Sequence, residues 1–396
     1  MIIKNSRTYP GNKLIDINID GGKVSKNSGG NDVIDAGNNI VIPSFSELHI
    51  HLDSVFIMSA SLINRSGTLE EGIALWDEYK KHSLNAFELN TRVRRALDLL
   101  LSNGVTRVRT NVDVSDPDLT ALKELIKIKK EFKDIDLQIT AFPQHGMYTD
   151  IKNLELLEKS MELGADNVGL APHLEDTYED GVRSVKTAYD LAEKYHKNID
   201  GHIDETDDPA SRFIEYLAKE KIRRNFSGSV AAGHLTALHS YNNQYANKVI
   251  KLIARAKINV ISNPLINMHL QGRYDSYPRI RGITRIKEMI DYNVNVSLGE
   301  DCIMDPWYPL GSGDPLDALF MALHAEPLMA PPYLGKSLDM LTYNAANAFG
   351  VNNYGYSDGD EGDFIITDTP DPVEIVQYRH KRLVVRRGKL VDEVNE

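Results

Sequence analysis

The stretch SELHIHLDS, residues 46–54, places two histidines one residue apart after an apolar run, with an aspartate close behind. Side chains alternate along a β-strand, so a strand here turns His49 and His51 to one face and Ile50 and Leu52 to the other. Two neutral imidazoles on one face suit zinc or iron(II). A pair of hydrogen-bonded histidines at a strand end is the competing interpretation, so the motif alone only indicates a metal site.

Composition limits the classes of function. The chain has 396 residues, of which 42% are hydrophobic and 26% charged, and its net charge of -12 repels phosphate backbones and anionic lipid surfaces. We therefore expect neither a nucleic-acid partner nor a membrane partner. Cys302 is the single cysteine, which excludes an internal disulfide and a multi-cysteine metal site. Together with the absence of an apolar segment at the N-terminus, this predicts a cytoplasmic protein.

The central part of the chain alternates short apolar runs with longer amphipathic segments. Such alternation predicts βα units and a parallel sheet, and eight units match an α/β fold of the (β/α)8 TIM-barrel type. The predicted strands are VIPSFSELHIHLD, VTRVRTNVD, LQITAFPQH, NVGLAPHLED, NIDGHIDET, SVAAGHLTALH, INVISNPLINMH and VNVSLGEDCIMD.

The two ends of the chain have a different character. Residues 1–42 and 354–396 contain short β-prone runs such as KLIDINID and KRLVVRRGKLV, separated by Gly, Asn and Asp. We predict that both ends build one small β-sandwich domain, and that residues 43–353 form the catalytic barrel domain.

Every predicted strand ends in a polar side chain, and in a TIM barrel those ends meet at one pocket. The side chains are His49 and His51, Asn111 and Asp113, Gln144, His173, His202 and Glu205, His234, Asn263 and Asn267, and Asp301. Three imidazoles and a carboxylate form a common ligand set with an open position for water. We therefore predict that one divalent metal ion, zinc or iron(II), binds His49, His51, His202 and Asp301.

Proton transfer must accompany hydrolysis at such a centre. Glu205 and His234 are the candidates for catalysis beside Asp301. Glu205 follows His202 by three residues, so the chain must turn after the strand for the carboxylate to face the pocket; a solvated face in DETDD is the competing interpretation. His234 follows the small residues of VAAGH, which suit close approach to a ligand or simply a tight strand end.

Four further side chains are candidates for substrate binding. They are Phe142 and Gln144 in AFPQH, Trp307 in DPWYPLG, and Cys302. The amide of Gln144 can pair with a ring carbonyl and an adjacent NH, with loop packing as the competing interpretation. The indole of Trp307 can cover a flat ring, although ordinary packing is the more common role of such an aromatic residue. Cys302 has no base beside it in the sequence, and single cysteines are commonly buried.

Several strings resemble the bacterial cytosine deaminase group of the amidohydrolase superfamily over roughly residues 40–330. They are ELHIHLD, AFPQ, HIDETDD, GHLTALHSY and NPLINMHLQGR. By this resemblance the four predicted ligands hold a single zinc or iron. Glu205 would move a proton to the ring nitrogen, and His234 would orient the attacking hydroxide. Gln144 would hold the carbonyl and NH of a cyclic amidine, Trp307 would pack on its ring, and ammonia would leave.

The eighth strand departs from the family pattern. Where the family's eighth-strand motif resembles Gly-His-Asp-Asp, this chain has Gly299, Glu300, Asp301 and Cys302. A thiol in place of a carboxylate admits apolar bulk such as an N-methyl group, so we expect creatinine slightly ahead of cytosine. Isocytosine and 5-methylcytosine stay open.

Two other functions compete with deamination: hydantoinase-like ring opening and a binding barrel without catalysis. The fourth strand lacks the lysine that bridges two metals in related enzymes, which favours one metal and deamination. We also expect a homo-oligomer.

Overall fold

The computed structural model describes residues 1–27, 30, 32–59, 62–379 and 381–391. Five short strands come first, and three more near the C-terminus join the same sheet. The strands β1 to β5 span Ile2–Thr8, Leu14–Asp20, Lys23–Val24, Val33–Asp35 and Ile40–Pro43.

A parallel barrel follows. Its strands β6 to β13 span Phe45–Ile50, Val105–Asp113, Asp136–Phe142, Asn167–Val168, Asn198–Ile203, Val230–His234, Asn259–Ser262 and Val296–Leu298. They are hydrogen-bonded in sequence order. A backbone bridge between Ile50 and Asp301 joins the last strand region to the first, so the predicted TIM barrel is confirmed.

Helices surround the barrel, and their buried faces pack on the outer side chains of the strands. The helices α1 to α8 span Leu69–His82, Ala86–Ser102, Thr120–Glu131, Ile151–Leu163, Tyr178–Tyr195, Phe213–Arg224, Ala237–Ser240 and Asn243–Ala256. The helices α9 to α13 span Pro264–Leu270, Ile286–Asp291, Pro315–Ala325, Tyr343–Phe349 and Pro372–Tyr378. None of the helices in the described ranges is long and apolar enough to cross a membrane.

The chain ends complete the small sheet. Strands β14 to β16 span Phe364–Ile366, Leu383–Arg386 and Lys389–Leu390, and β14 pairs with β5. The sheet curls back on itself. Ile19 of β2 lies so close to Gly362 and Gly388 that a Cβ on either glycine would touch its side chain. The sandwich expected from both termini is thus one mixed sheet folded over its own apolar core. The domain boundaries stay a prediction, and residues 392–396 lie outside the described residues.

Several predicted strands are too long. INVISNPLINMH contains β12 and most of the helix α9, SVAAGHLTALH contains β11 and part of α7, and the first predicted strand is divided. The run VIPSFSELHIHLD forms two strands, because β5 pairs within the terminal sheet and β6 pairs with β7 of the barrel. Pro43 ends β5, and the amide of Ser44 donates to the carbonyl of Asp363 instead of continuing a barrel ladder. Since proline has no backbone N–H, the change of sheet occurs where the ladder is already interrupted.

The barrel interior is closed at the end opposite the ligand candidates. The guanidinium of Arg109 lies 3.7 Å from Asp200 and donates to Gln138 and to the carbonyl of Ala348 in α12. The hydroxyl of Thr140 donates to Oδ2 of Asp200 at 2.9 Å, and Arg109 supplies the nearby positive charge that a buried carboxylate requires. The predicted metal ligands lie at the other end, at the carboxyl ends of the strands.

Candidate active site

The four predicted metal ligands meet at the carboxyl end of the barrel. The Nε2 atoms of His49 and His51 lie 3.2 and 3.0 Å from Nε2 of His202. The Oδ1 atom of Asp301 lies 3.5 Å from Nε2 of His51 and 3.9 Å from Nε2 of His49. Ligand atoms about 2.0–2.2 Å from one zinc ion stand at separations of this order.

The protonation states also fit a metal ion. Burial lowers the pKa of His51 to about 4, and burial with neighbouring histidines lowers the pKa of His49 and His202 well below its usual value. The rings are therefore neutral near pH 7, which is the form that binds metal. Burial raises the pKa of Asp301 well above its usual value, and a divalent cation would reverse that shift. The donor set suits a divalent metal and does not distinguish zinc from iron(II).

Small residues and one carboxylate position His49. A Cβ on Gly233 would lie 2.7 Å from Cε1 of His49, and a Cβ on Gly299 would lie 2.8 Å from its Cβ. The carboxylate of Glu47 accepts from the backbone amides of His49 and Glu300 at 2.8 and 3.0 Å. Sequence reasoning missed Glu47, although its place two residues before His49 in a strand was a usable signal.

Glu205 faces the site because the chain turns after β10. Asp204 has a φ of 53°, and its carboxylate accepts from the amide of Phe213 in α6, which anchors the turn. Oε1 of Glu205 then lies 3.3 Å from Nδ1 of His234. The expected turn is present, and a solvated face describes only the later part of DETDD, where Asp208 is exposed.

Glu205 is able to hold a proton at neutral pH. Burial, with the nearby carboxylate of Asp301 as the second cause, raises the pKa of Glu205 well above its usual value. A raised carboxyl pKa inside a cleft is the usual arrangement for a general acid.

His234 is held by two amides that the sequence had placed at a strand end without a role. Nδ2 of Asn267 lies 3.0 Å from Nδ1 of His234, and Nδ2 of Asn263 lies 3.3 Å from the same atom. His234 and Asp301 have φ values of 67° and 74°. Such left-handed backbone costs about 1–3 kcal/mol at a residue other than glycine and persists mainly at functional sites.

The substrate-binding candidates line one cavity beside this cluster. The cavity holds about 330 Å³, counting its open mouth, and its walls include Phe142, Gln144, Cys302 and Trp307. The ring of Phe142 stacks on His202 with centroids 4.0 Å apart. The remaining lining residues are His51, Leu69, His202, Glu205, His234, Ile266, Leu270 and Asp301. The roles assigned to these side chains stay predictions.

Cys302 contributes an apolar wall and no nucleophile. Its side chain is buried with Ile266, Leu270 and Trp307, and its Sγ lies 3.8 Å from Oδ1 of Asp301. Burial, together with neighbouring carboxylates, raises the pKa of the thiol well above its usual value. The group is therefore a neutral thiol at pH 7.

Comparisons with known proteins agree with this geometry. The model of the amidohydrolase family matches residues 66–392. The chain belongs to the amidohydrolase family. The structure of a 5-methylcytosine deaminase from Klebsiella pneumoniae, liganded with 5-fluorocytosine, superposes on this amidohydrolase with a TM-score of 0.95 and 38% identity, over 100% of this chain and 98% of that one.

Two curated relatives are more distant. An N-isopropylammelide isopropyl amidohydrolase from Pseudomonas sp. (strain ADP) is 26% identical, over 100% of this chain and 98% of its own length. A pterin deaminase from Rhizobium rhizogenes (strain K84 / ATCC BAA-868) is 26% identical, over 90% of this chain and 82% of its own length. The predicted cytosine deaminase-like amidohydrolase, a hydrolytic deaminase, is confirmed at this level.

Proposed function

We propose that this amidohydrolase deaminates a cytosine-type ring, either cytosine or 5-methylcytosine. The observation that carries the proposal is the buried pair of Glu205 and His234 at the head of a cavity with aromatic and apolar walls. The similarity to a 5-methylcytosine deaminase over the whole chain supports the same substrate class.

The reaction exchanges an exocyclic amine for oxygen. A C–O bond forms between water and the amidine carbon, the C–N bond to the amino group breaks, and the products are the ring carbonyl compound and ammonia. A divalent ion held by His49, His51, His202 and Asp301 would supply Lewis-acid activation of the attacking water.

The chain's own residues supply orientation and proton transfer. Gln144 pairs with the ring carbonyl and NH, and the rings of Phe142 and Trp307 hold the substrate flat. Glu205 gives its proton to the ring nitrogen as the amidine carbon becomes tetrahedral, and His234 holds the attacking oxygen by hydrogen bonding. The attacking water gives up one proton, which restores Glu205 and passes from it to the departing amine. The second proton, from the added hydroxyl, returns to Glu205 as the ring carbonyl forms and ammonia leaves.

Creatinine, the substrate first expected, finds no support. That expectation rested on an apolar space at Cys302 for an N-methyl group. The same space suits the 5-methyl group of a pyrimidine, and the similar solved structure is a 5-methylcytosine deaminase. Zinc against iron(II), and a homo-oligomer, stay predictions.

The test is ammonia release from cytosine, 5-methylcytosine, isocytosine and creatinine by purified enzyme whose metal content is measured on the same preparation. We expect the two cytosines to be turned over fastest, with products in which NH is exchanged for O. Mass spectrometry separates this outcome from ring opening, which adds a whole water. Creatinine turnover above that of both cytosines contradicts the proposal, and so does binding without turnover.

A further inference from the structure

Asp113 ends a barrel strand beside the site, yet its carboxylate turns away from the ligand cluster. Oδ2 of Asp113 accepts from Nε1 of Trp76 at 2.9 Å and from Nζ of Lys80 at 2.5 Å. Its Oδ1 accepts from the backbone amide of Ser115 at 2.8 Å. Both partners on Oδ2 belong to α1, so this strand end holds a helix instead of a metal.

The α1 helix is a lid over the pocket. Leu69, at its first residue, lines the cavity, and Gly72 lies against Trp307. A Cβ on Gly72 would lie 2.3 Å from Cδ1 of Trp307, so the indole packs directly on the helix backbone. The position of α1 therefore sets the position of one substrate-binding wall.

Other contacts also hold the lid, since Nζ of Lys80 donates to Oγ of Ser115 at 2.6 Å and the hydroxyl of Tyr79 donates to Glu88 at 2.9 Å. The apolar residues of the lid belong to a small cluster around Trp76 and Trp307, which meets the main barrel core through Leu84 and Tyr308. Elements outside the main core open more easily than core elements. The polar contacts of Asp113 join α1 directly to the end of β7.

A second polar contact joins the same helix to the next strand end. Oδ1 of Asp77 lies 2.9 Å from Nζ of Lys80 and 3.1 Å from Nε2 of His145. His145 follows Gln144, a lining residue of the cavity. Burial alone would raise the pKa of Asp113, but Lys80 brings it below its usual value, so the pair is ionised.

We propose that Asp113 is a positioning residue that latches α1 through Trp76 and Lys80, and thereby sets the Gly72 and Trp307 wall against which the substrate ring packs. The inference deepens the proposed deaminase function and rests on it for its kinetic consequences. Its conformational consequence is independent of turnover.

The kinetic test uses three variants, Asp113→Asn, Lys80→Met and Gly72→Ala. A loosened wall weakens substrate binding more than the chemical step, so we expect each to raise KM for the preferred cytosine about tenfold and to lower kcat less than about threefold. Metal content stays at the wild-type level, because none of the three contacts a predicted ligand. Lys129→Met is the control, since Lys129 forms a more exposed lysine–aspartate pair with Asp166 away from the site.

The conformational test uses tryptophan emission. Trp76 and Trp307 are the only tryptophans in the chain, and both lie at the interface between α1 and the pocket. We expect acrylamide to quench the emission of Asp113→Asn and Lys80→Met more strongly than that of the wild type or Lys129→Met. Quenching should fall again when cytosine is added.

Gly72→Ala is the variant least expected to misfold, because it removes no buried charge and alanine is more favourable than glycine inside a helix. Unchanged KM and unchanged quenching in the variants that fold overturn the latch. Loss of metal together with kcat also overturns it, because Asp113 would then act on the metal centre. A wild-type enzyme inactive on every pyrimidine contradicts the proposed function, and the quenching comparison then still decides the latch.

Discussion

The backbone amide of Asp301 donates a hydrogen bond to the carbonyl of His49 at 2.8 Å, and the amide of His51 donates one to the carbonyl of Asp301 at 2.9 Å. The strand contact that closes the barrel is therefore made by three of the four predicted metal ligands. Barrel closure and the predicted metal site share these three residues.

Removing the metal should therefore lower stability as well as activity. A ligand that binds only the folded state stabilises it by about 2.7 kcal/mol when its free concentration is about 100-fold above Kd. We expect chelated protein to lose turnover and to melt at a lower temperature, and added zinc or iron(II) to restore both. Differential scanning calorimetry and metal analysis measure the change; an unaltered melting temperature after complete stripping would contradict this prediction.

Glu205→Gln should separate proton transfer from metal binding. The amide keeps the shape of the side chain and loses the acidic proton, so kcat should fall by about 10²–10⁴-fold with metal content retained. Asp208→Asn, an exposed change in the same acidic run, is the control and should leave kcat unaltered. Full turnover in Glu205→Gln would remove Glu205 from the mechanism.

Gly233→Ala should disturb His49 without touching its chemistry. The new methyl group would lie 2.7 Å from Cε1 of His49, so the ring must shift. We expect metal affinity or activity to fall about 10–100-fold, as for other supporting residues of metal sites. Gly335→Ala is the matched control, because a Cβ there meets nothing within 4 Å. Equal metal affinity in both variants would show that Gly233 is not needed for room.

The contact between His145 and Asp77 should make stability depend on pH. Its hydrogen bond to Asp77 raises the pKa of His145 above the usual value. Because the pKa of His145 is higher in the folded protein than in the unfolded chain, where it is about 6.5, its protonated form stabilises the fold fully below that pH. This contribution is lost as the pH rises through the pKa of His145 in the folded protein.

Urea unfolding of wild type and His145→Gln measures this contribution. The wild type should be the more stable by less than about 1 kcal/mol at acidic pH, because the ring is partly exposed, and the difference should shrink at alkaline pH. His82→Gln, an exposed change on α1, is the control. A difference that grows with pH would reverse the assigned sign.

The sequence could predict the site because its information is local. One-residue spacing places His49 and His51 together, and the need for a turn before Glu205 follows from strand alternation alone. The turn itself depends on the carboxylate of Asp204 reaching α6, a contact between segments. The support from Asn267 was missed for the same reason, because the helix α9 brings it to His234.

The packing of the lid helix α1 over the pocket was not predicted from the sequence, for a related reason. Residues 69–82 carry many charges and pack through few apolar positions, so their sequence pattern does not predict which part of the protein the helix packs against. The orientation of Asp113 is decided by Lys80 and Trp76 in that helix, and strand alternation alone favoured the site. The change of sheet at Pro43 was likewise hidden inside one continuous apolar run.

The pairing of β5 with β14, in which Ile42 lies opposite Ile365, has a consequence for synthesis on the ribosome. The edge of β5 that pairs with β14 lacks this neighbour until more than three hundred further residues have been made, and a contact of such high order forms slowly. Until then the edge of β5 is open to other chains. Nascent chains stalled before Phe364 should therefore be the most aggregation-prone products of this gene, and chaperones should engage them at that edge.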